Sequence, residues 1–310
     1  MKNVDFSKPG ISFVTGFPMT KNTGLLILSI DELFHEKEPH SILVVKNHNA
    51  ASGILVPSNC CDVTLVQYEG NVHGYFLGED GAMWYYNGSS IESIEPITSA
   101  FGKSTEMFRS HAYTNREEQF AVGGGNTVYF KEFQSKWNSI EIDMKSEIEQ
   151  HKYVGFEKVL SSRDGFVYLF GWHGIGYIFS HDSAKRMELP VSIDIYDAVL
   201  ADDGYVYACG DRGTVIMGRG VDNWKVVNNE ITDDKLWGIS TFKGRVFVCS
   251  MDFIYEIVES ELQQIEYSEL SVIPSFTYKL KSCSECVWSI GSKQLVEFDG
   301  FDWRKLLLLK

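Results

Sequence analysis

Between residues 196 and 228 short apolar runs alternate with clusters of turn-forming residues. Residues 196–201 are largely apolar, and Asp202-Asp203-Gly204 carries the chemistry of a tight hairpin turn. Residues 205–209 form a second run, broken by Gly210-Asp211-Arg212-Gly213. A third run at 214–217 ends at Gly218-Arg219-Gly220, and a fourth covers 224–227. Within the runs the alternation has period two, as at 205–209 and 245–249, which is the strand period and not the helix one. Four such strands in 33 residues describe one antiparallel meander. A lone meander leaves a face uncovered, so it needs neighbours like itself.

The same pattern recurs along the chain. Aligning the break after the second strand of each unit gives Ser29, Gly78, Gly123, Gly171, Gly210, Ser250 and Gly291, at intervals of 49, 45, 48, 39, 40 and 41 residues. An apolar run precedes each break and a third strand follows it. Trp137, Trp224 and Trp303 open the fourth strand of their units. A four-stranded unit repeating near every 40 residues is the mark of a β-propeller. The chain therefore reads as all-β, a seven-bladed β-propeller of four-stranded antiparallel blades in one domain, 1–310. The blades fall at about 11–47, 62–96, 106–143, 153–190, 195–228, 235–268 and 276–310. Two sandwiches joined by a linker are the alternative all-β arrangement. They give no reason for glycine and tryptophan to recur at one phase, and no Pro/Gly/Ser-rich linker divides the chain.

The first unit is the least regular, with strands expected at 12–16, 25–30, 32–35 and 41–45. The last takes 277–282, 287–290, 295–298 and 303–309, so each terminus completes its own blade, and a strand exchange between the ends stays open. Only Lys145–Gln150 reads as a helical turn. Phe76, Val122, Leu169, Val206, Val248 and Trp288, or their direct neighbours, are expected in the core.

The segment Ala208-Cys209-Gly210-Asp211-Arg212-Gly213-Thr214-Val215-Ile216, followed by Asp222-Asn223-Trp224, resembles the repeat of the photosystem II assembly-factor-like and bacterial neuraminidase-repeat-like propellers. Residues 170–178 and 77–84 carry looser copies. The resemblance implies a propeller that serves as a protein-binding or assembly platform. Such motifs are architectural and speak to fold more than to function. The sialidase box Ser-x-Asp-x-Gly-x-Thr-Trp is nowhere intact, which argues against a glycosidase.

The formal charge of −14 disfavours nucleic acid and anionic membranes as partners and favours a basic protein. No leader opens the chain and no apolar run approaches a bilayer span, so a soluble cytoplasmic protein is expected. Of six cysteines, Cys209 and Cys249 fall inside strands as small buried hydrophobes. Cys60 and Cys61 are adjacent. Cys283 and Cys286 have the CxxC spacing, but they flank a two-residue hairpin turn, and no second pair supplies the remaining ligands of a zinc site. Free thiols are the expectation, and no metal or other cofactor is predicted.

Catalytic constellations were sought in the glycines, histidines and carboxylates. The clusters Gly123-Gly124-Gly125 and Gly171-x-x-Gly174-x-Gly176 are each followed by a strand, whereas a phosphate loop needs a helix there. They read instead as positive-φ turns. The eight histidines lack metal-ligand spacing, no Gly-x-Ser-x-Gly elbow occurs, and Asp194, Asp197, Asp202 and Asp203 do not form a calcium loop. No catalytic residue is assigned.

Position on the propeller says more. Turns between second and third strands share one face with the blade-to-blade connections. That face carries Glu79, Asp80, Trp172, His173, Asp211, Arg212 and Asp252, with Asp233 and Asp234 from the connection before the sixth blade. The longer connections at 97–106, 143–152, 228–235 and 268–276 add further carboxylates. An ordinary solvated acidic rim explains this, and so does a docking face for a basic protein with Trp172 as anchor. The readings that follow are an inhibitor of a basic toxin, an assembly or chaperone-like scaffold, and a carbohydrate-active lyase or hydrolase using the central channel.

Overall fold

The computed structural model describes residues 1–68, 70–97, 107–180 and 183–310. Its strands form seven antiparallel sheets in which sequence neighbours are sheet neighbours, so the chain makes a seven-bladed β-propeller. The innermost strands are Ile11–Thr20, Cys60–Tyr68, Phe108–Tyr113, Phe156–Ser161, Ile195–Leu200, Gly238–Phe242 and Thr277–Ser282. Each touches the next around the ring, and the last touches the first. Side chains from facing sheets interdigitate between blades, as where Val122 and Leu169 share one apolar cluster and Leu25 and Phe76 another. All six residues singled out for the core are buried. The helical turn is present at Lys145–Gln150.

The first blade departs from its expected strands. Asp31–His35 is helical, with Asp31 and Glu32 in the first turn, where carboxylates favour the positive end of the helix dipole. The third and fourth strands are Ser41–Asn47 and Ala50–Val56, so this blade runs beyond the position 47 given by the repeat. The fourth strand is hidden in the sequence by Ser52-Gly53, which resembles a turn. Gly53 is there for space, because a Cβ would stand 2.6 Å from the Leu43 carbonyl oxygen of the paired strand. Outside it, Lys2–Asn3 adds a fifth strand, pairing Lys2 with Gly53.

No strand is exchanged between the termini: the last blade closes with Trp303–Leu308 in its own sheet. The seam is held by side chains. Trp288 is wholly buried and donates to Glu297 Oε2 at 3.0 Å, and the same oxygen accepts the Asn22 amide at 2.7 Å. Gly24 leaves room for the indole, since a Cβ there would collide with it. On the opposite face Lys293 Nζ donates to the Ile11 carbonyl at 2.6 Å and to Asp31 Oδ2 at 2.7 Å.

The recurring glycine proves to be a matter of space more than of turn geometry. At Gly123, Gly171 and Gly210 a Cβ would run into the carbonyl oxygens of Met107, Gly155 and Asp194, which belong to the preceding inter-blade connections. Gly171 itself is extended at φ −154, whereas Gly125 at 84 and Gly174 at 71 supply the left-handed geometry expected of the clusters. The repeat glycine thus lets each connection lie directly on the end of the second strand.

Candidate functional site

That close approach builds one face. Amides in the second-to-third-strand turns bond to the connections between blades: Trp172 N to Gly155 O, Asp211 N to Asp194 O, Gly213 N to Asp234 O and Glu79 N to Asn59 O. The turns bearing the candidate residues are therefore fixed to the frame.

The structure divides those residues into two groups. The first surrounds the mouth of the central channel. Six of the seven inner strands carry a β-bulge after their first paired residue or close to it, as between Phe108 and Ser110 or Phe156 and Lys158. A bulge re-aims the extra residue. Here the bulged residues include Arg109, Glu157 and Tyr278, which line a cavity of about 490 Å³ together with Glu79, Phe34 and Lys279. Arg109 stands 3.2 Å from Glu79 and 3.9 Å from Glu157, and Glu157 accepts the Trp172 indole N–H at 2.7 Å. Glu79 and Trp172, singled out by position, are thus linked through Arg109 and Glu157, which were not. Burial raises the Glu79 carboxyl above its usual range, and the Arg109 guanidinium opposes that rise.

Trp172 is half-buried and tied down at its nitrogen, with its ring edge over Gly155. It is not tucked against His173. That residue has a φ of 58, donates its amide to Asp194 Oδ1 at 2.9 Å, and stacks on His151 with centroids 3.9 Å apart. Asp80 spends its Oδ1 on the Ser58 hydroxyl and the Ala82 amide, holding its own turn.

The second group lies across blades five to seven. Asp211 accepts the Tyr196 hydroxyl at 2.8 Å and pairs with Lys235 at 3.2 Å. Arg212, Asp233, Asp234 and Asp252 are exposed, and among the described residues none of the three aspartates makes an ion pair. Beside Asp252 sits a crescent of exposed apolar side chains absent from the sequence reading: Met251 and Phe253 in the same turn, and Phe276, whose neighbour Thr277 donates its amide to the Met251 carbonyl. Phe34 continues it at the cavity rim. Phe276 is 61% exposed, whereas Leu270, also exposed, lies in a stretch that Ser268 and Val272 tie to Asp302 and Trp303 at the turn on the other face. Phe276 also holds a φ of 51, a costly conformation for a bulky residue and one that tends to mark functional positions. The signal for this crescent was Met251, Phe253 and Phe276 standing as large apolar residues at turn and connection positions.

Below the mouth a buried charged cluster links the inner strands of blades four, five and seven. Asp197 is 1% exposed and lies 2.8 Å from Lys158 Nζ and 3.5 Å from Lys281 Nζ. Lys281 belongs to blade seven and Asp197 to blade five, so this contact crosses the axis. Despite burial, the two ammonium groups hold the Asp197 carboxyl far below the carboxylate range. Asp62 takes the His111 amide at 2.9 Å and the Ser110 hydroxyl at 3.1 Å from the next blade. Asp194 and Asp197 are thereby separated, one holding the His173 turn and the other the axis.

No protein-family model matches the chain. A stretch of 187 residues, 60% of this chain, is 27% identical to the immune protein Tsi7 of Pseudomonas aeruginosa. The match spans 60% of the length of Tsi7. Among solved structures, YCF48 from Cyanidioschyzon merolae superposes with a TM-score of 0.66 at 11% identity, covering 96% of this chain and 98% of that one. YCF48 bound to D1 peptide gives 0.61 at 12%, covering 94% and 93%. PorZ of Porphyromonas gingivalis gives 0.66 at 11%, covering 92% of this chain and 46% of its own. The resemblance seen in single repeats to the photosystem II assembly-factor propellers thus extends, as a fold, around the ring.

Proposed function

We propose that this chain is a non-catalytic propeller that binds a basic protein through the face just described and acts in the cytoplasm as an immunity-type inhibitor of a toxin. The observation that carries the reading is the apolar crescent of Met251, Phe253 and Phe276 beside exposed, unpaired Asp252, on the face that also carries Asp233 and Asp234. Apolar anchors ringed by charge suit a protein interface: the anchors supply affinity, and the carboxylates steer a basic partner in. The partial match to Tsi7 supports the immunity version. The Lys158–Asp197–Lys281 cluster on the axis supports a binder over an enzyme that passes a sugar through the channel. A scaffold role in assembly is the second reading, supported by the fold shared with YCF48 and by the peptide held in one of its structures.

Against the purified partner, Phe276→Ala and Phe253→Ala should each weaken binding by about 2 kcal/mol, roughly thirtyfold, with little change in melting temperature. Trp172→Ala should weaken binding to a similar degree if the indole is an anchor, and should also lose some stability because Glu157 is left without its donor. Reversing Asp233 and Asp252 to lysine should mainly slow association, more so at low salt. Phe301, 82% exposed in a third-to-fourth-strand turn on the other face, is the control. An equal loss on Phe301→Ala would put the interface elsewhere.

A further inference from the structure

We propose that Cys283 and Cys286 form a dithiol–disulfide exchange site, open to small disulfides, at the turn where the last blade grips the first. The pair does not rest on the docking face: its hairpin joins the first and second strands of blade seven and so emerges on the opposite face. Ser282 pairs with Val287, and the Cys283 amide donates to the Cys286 carbonyl at 3.0 Å, so the cysteines oppose each other across a two-residue turn. Directly opposed, hydrogen-bonded residues have Cα atoms about 5.5 Å apart, within the range a disulfide spans. The sulfurs already lie 3.7 Å apart.

The two thiols are unequal in the way exchange requires. Cys283 is partly exposed, and its sulfur faces the Glu285 amide at 3.5 Å. The hydrogen bond from Cys286 draws the Cys283 thiol down to about 6, so the thiolate dominates near neutrality. Cys286 is wholly buried, and its proton is held by that bond. The other assigned thiols go the opposite way: burial pushes Cys60 up to about 12 and raises Cys61, Cys209 and Cys249.

The chemistry balances with glutathione disulfide as oxidant. The Cys283 thiolate attacks one glutathione sulfur, forming a mixed disulfide and expelling one glutathione thiolate. With Cys283 capped, Cys286 no longer faces a thiolate, so its proton leaves more readily. Its sulfur then attacks Cys283 Sγ and expels the second glutathione. Two protein thiols are oxidised, and one glutathione disulfide becomes two glutathione thiols. The location gives the reaction a consequence. Cys286 Sγ faces the Thr20 carbonyl at 3.7 Å, and Glu285 Oε2 accepts the Lys21 amide at 3.1 Å. Closing the disulfide pulls Cys286 Sγ from 3.7 Å to bonding distance of Cys283 beside the Thr20 carbonyl, so the oxidation state is felt where the ring closes.

The test equilibrates the full chain with graded mixtures of reduced and oxidised glutathione near neutral pH, then quenches with acid and maps peptides by mass. A Cys283–Cys286 peptide lighter by two hydrogens should accumulate as the mixture becomes more oxidising and revert with dithiothreitol. Cys60, Cys209 and Cys249 should stay reduced. Cys286→Ser should stop at glutathione on Cys283, and Cys283→Ser should take up none at this hairpin. Iodoacetamide should modify wild-type Cys283 at a rate that levels off by about pH 7. Wild-type protein that halts at the mixed disulfide, or a Cys283 rate still climbing through about pH 9 like an ordinary thiol, would overturn the proposal.

Discussion

Asp197→Asn should lower the unfolding free energy by about 3–5 kcal/mol, the expected cost of removing one member of a buried ion cluster. The substitution keeps the shape of the side chain and removes only its charge. Lys158 and Lys281 are then left facing each other on the axis without the carboxylate that lies 2.8 and 3.5 Å away. The pH dependence separates this from a packing defect. The Asp197 carboxyl is depressed, so its stabilisation is complete above the ordinary carboxylate range and fades as pH falls below that range towards the lower folded value. Lys281 is opposite in kind: burial pushes its ammonium down to about 8, although Asp197 opposes the shift. Between about 8 and the unfolded value near 10.4 the unfolded Lys281 holds the extra proton, so this group adds stability as pH rises, while the buried thiols, which ionise first in the unfolded chain, subtract it. Urea titrations across this range should show the wild type losing stability less steeply than Lys281→Met, by up to about one proton. If Asp197→Asn matches the wild type at neutral pH, the axial cluster contributes nothing net.

Acid should unfold this propeller earlier than its carboxylates alone require, because of His111. Its side chain is buried, Nε2 lies 3.2 Å from Gln119 Oε1, and Nδ1 has no hydrogen-bond partner among the described residues. Burial pushes the imidazole down to about 4, with Asp62 and Gln119 resisting the shift. The unfolded histidine takes its proton near 6.5. Between those values the unfolded state binds more protons, so stability is lost as pH falls from about 6.5 towards 4. The loss should reach about 3 kcal/mol over that window. His111→Gln, neutral throughout, should flatten the slope by about one proton in urea titrations. An unchanged slope would assign the acid sensitivity to other groups.

How far the sequence could be read follows from what each signal records. The ring was legible because the repeat glycines answer to a strict demand: at Gly171 or Gly210 no other residue lets the preceding connection pass. Short continuous apolar runs revealed the second strands, since both of their faces are buried between blades, as around Val206 and Val248. The first blade was misread at Asp31–His35 because a single helical turn is too short to show its period. The mouth of the channel stayed hidden for a related reason. A bulge needs no glycine, so Arg109, Glu157 and Tyr278 looked like ordinary strand residues. Aligning the inner strands on their first residues, instead of on the glycine breaks, would have shown polar or aromatic side chains recurring at the next position. Charge led to Asp233, Asp234 and Asp252, but counting carboxylates overlooked their partners: Arg109 engages Glu79, and Lys235 engages Asp211. It also passed over Met251, Phe253 and Phe276, large apolar residues at turn and connection positions.

The proposed role has one face of this propeller holding a basic protein. It is tested most directly by purifying the chain from its native host, cross-linking it, and mapping the cross-links of whatever is bound in equal amount. The account predicts one stoichiometric basic protein, with cross-links confined to the turns and connections around Trp172, Lys235, Asp252 and Phe276. Retention should fail for a chain carrying Phe276→Ala with Asp233 and Asp252 reversed to lysine. Cross-links centred on the opposite face, around Phe301, or full retention by the altered chain would contradict it.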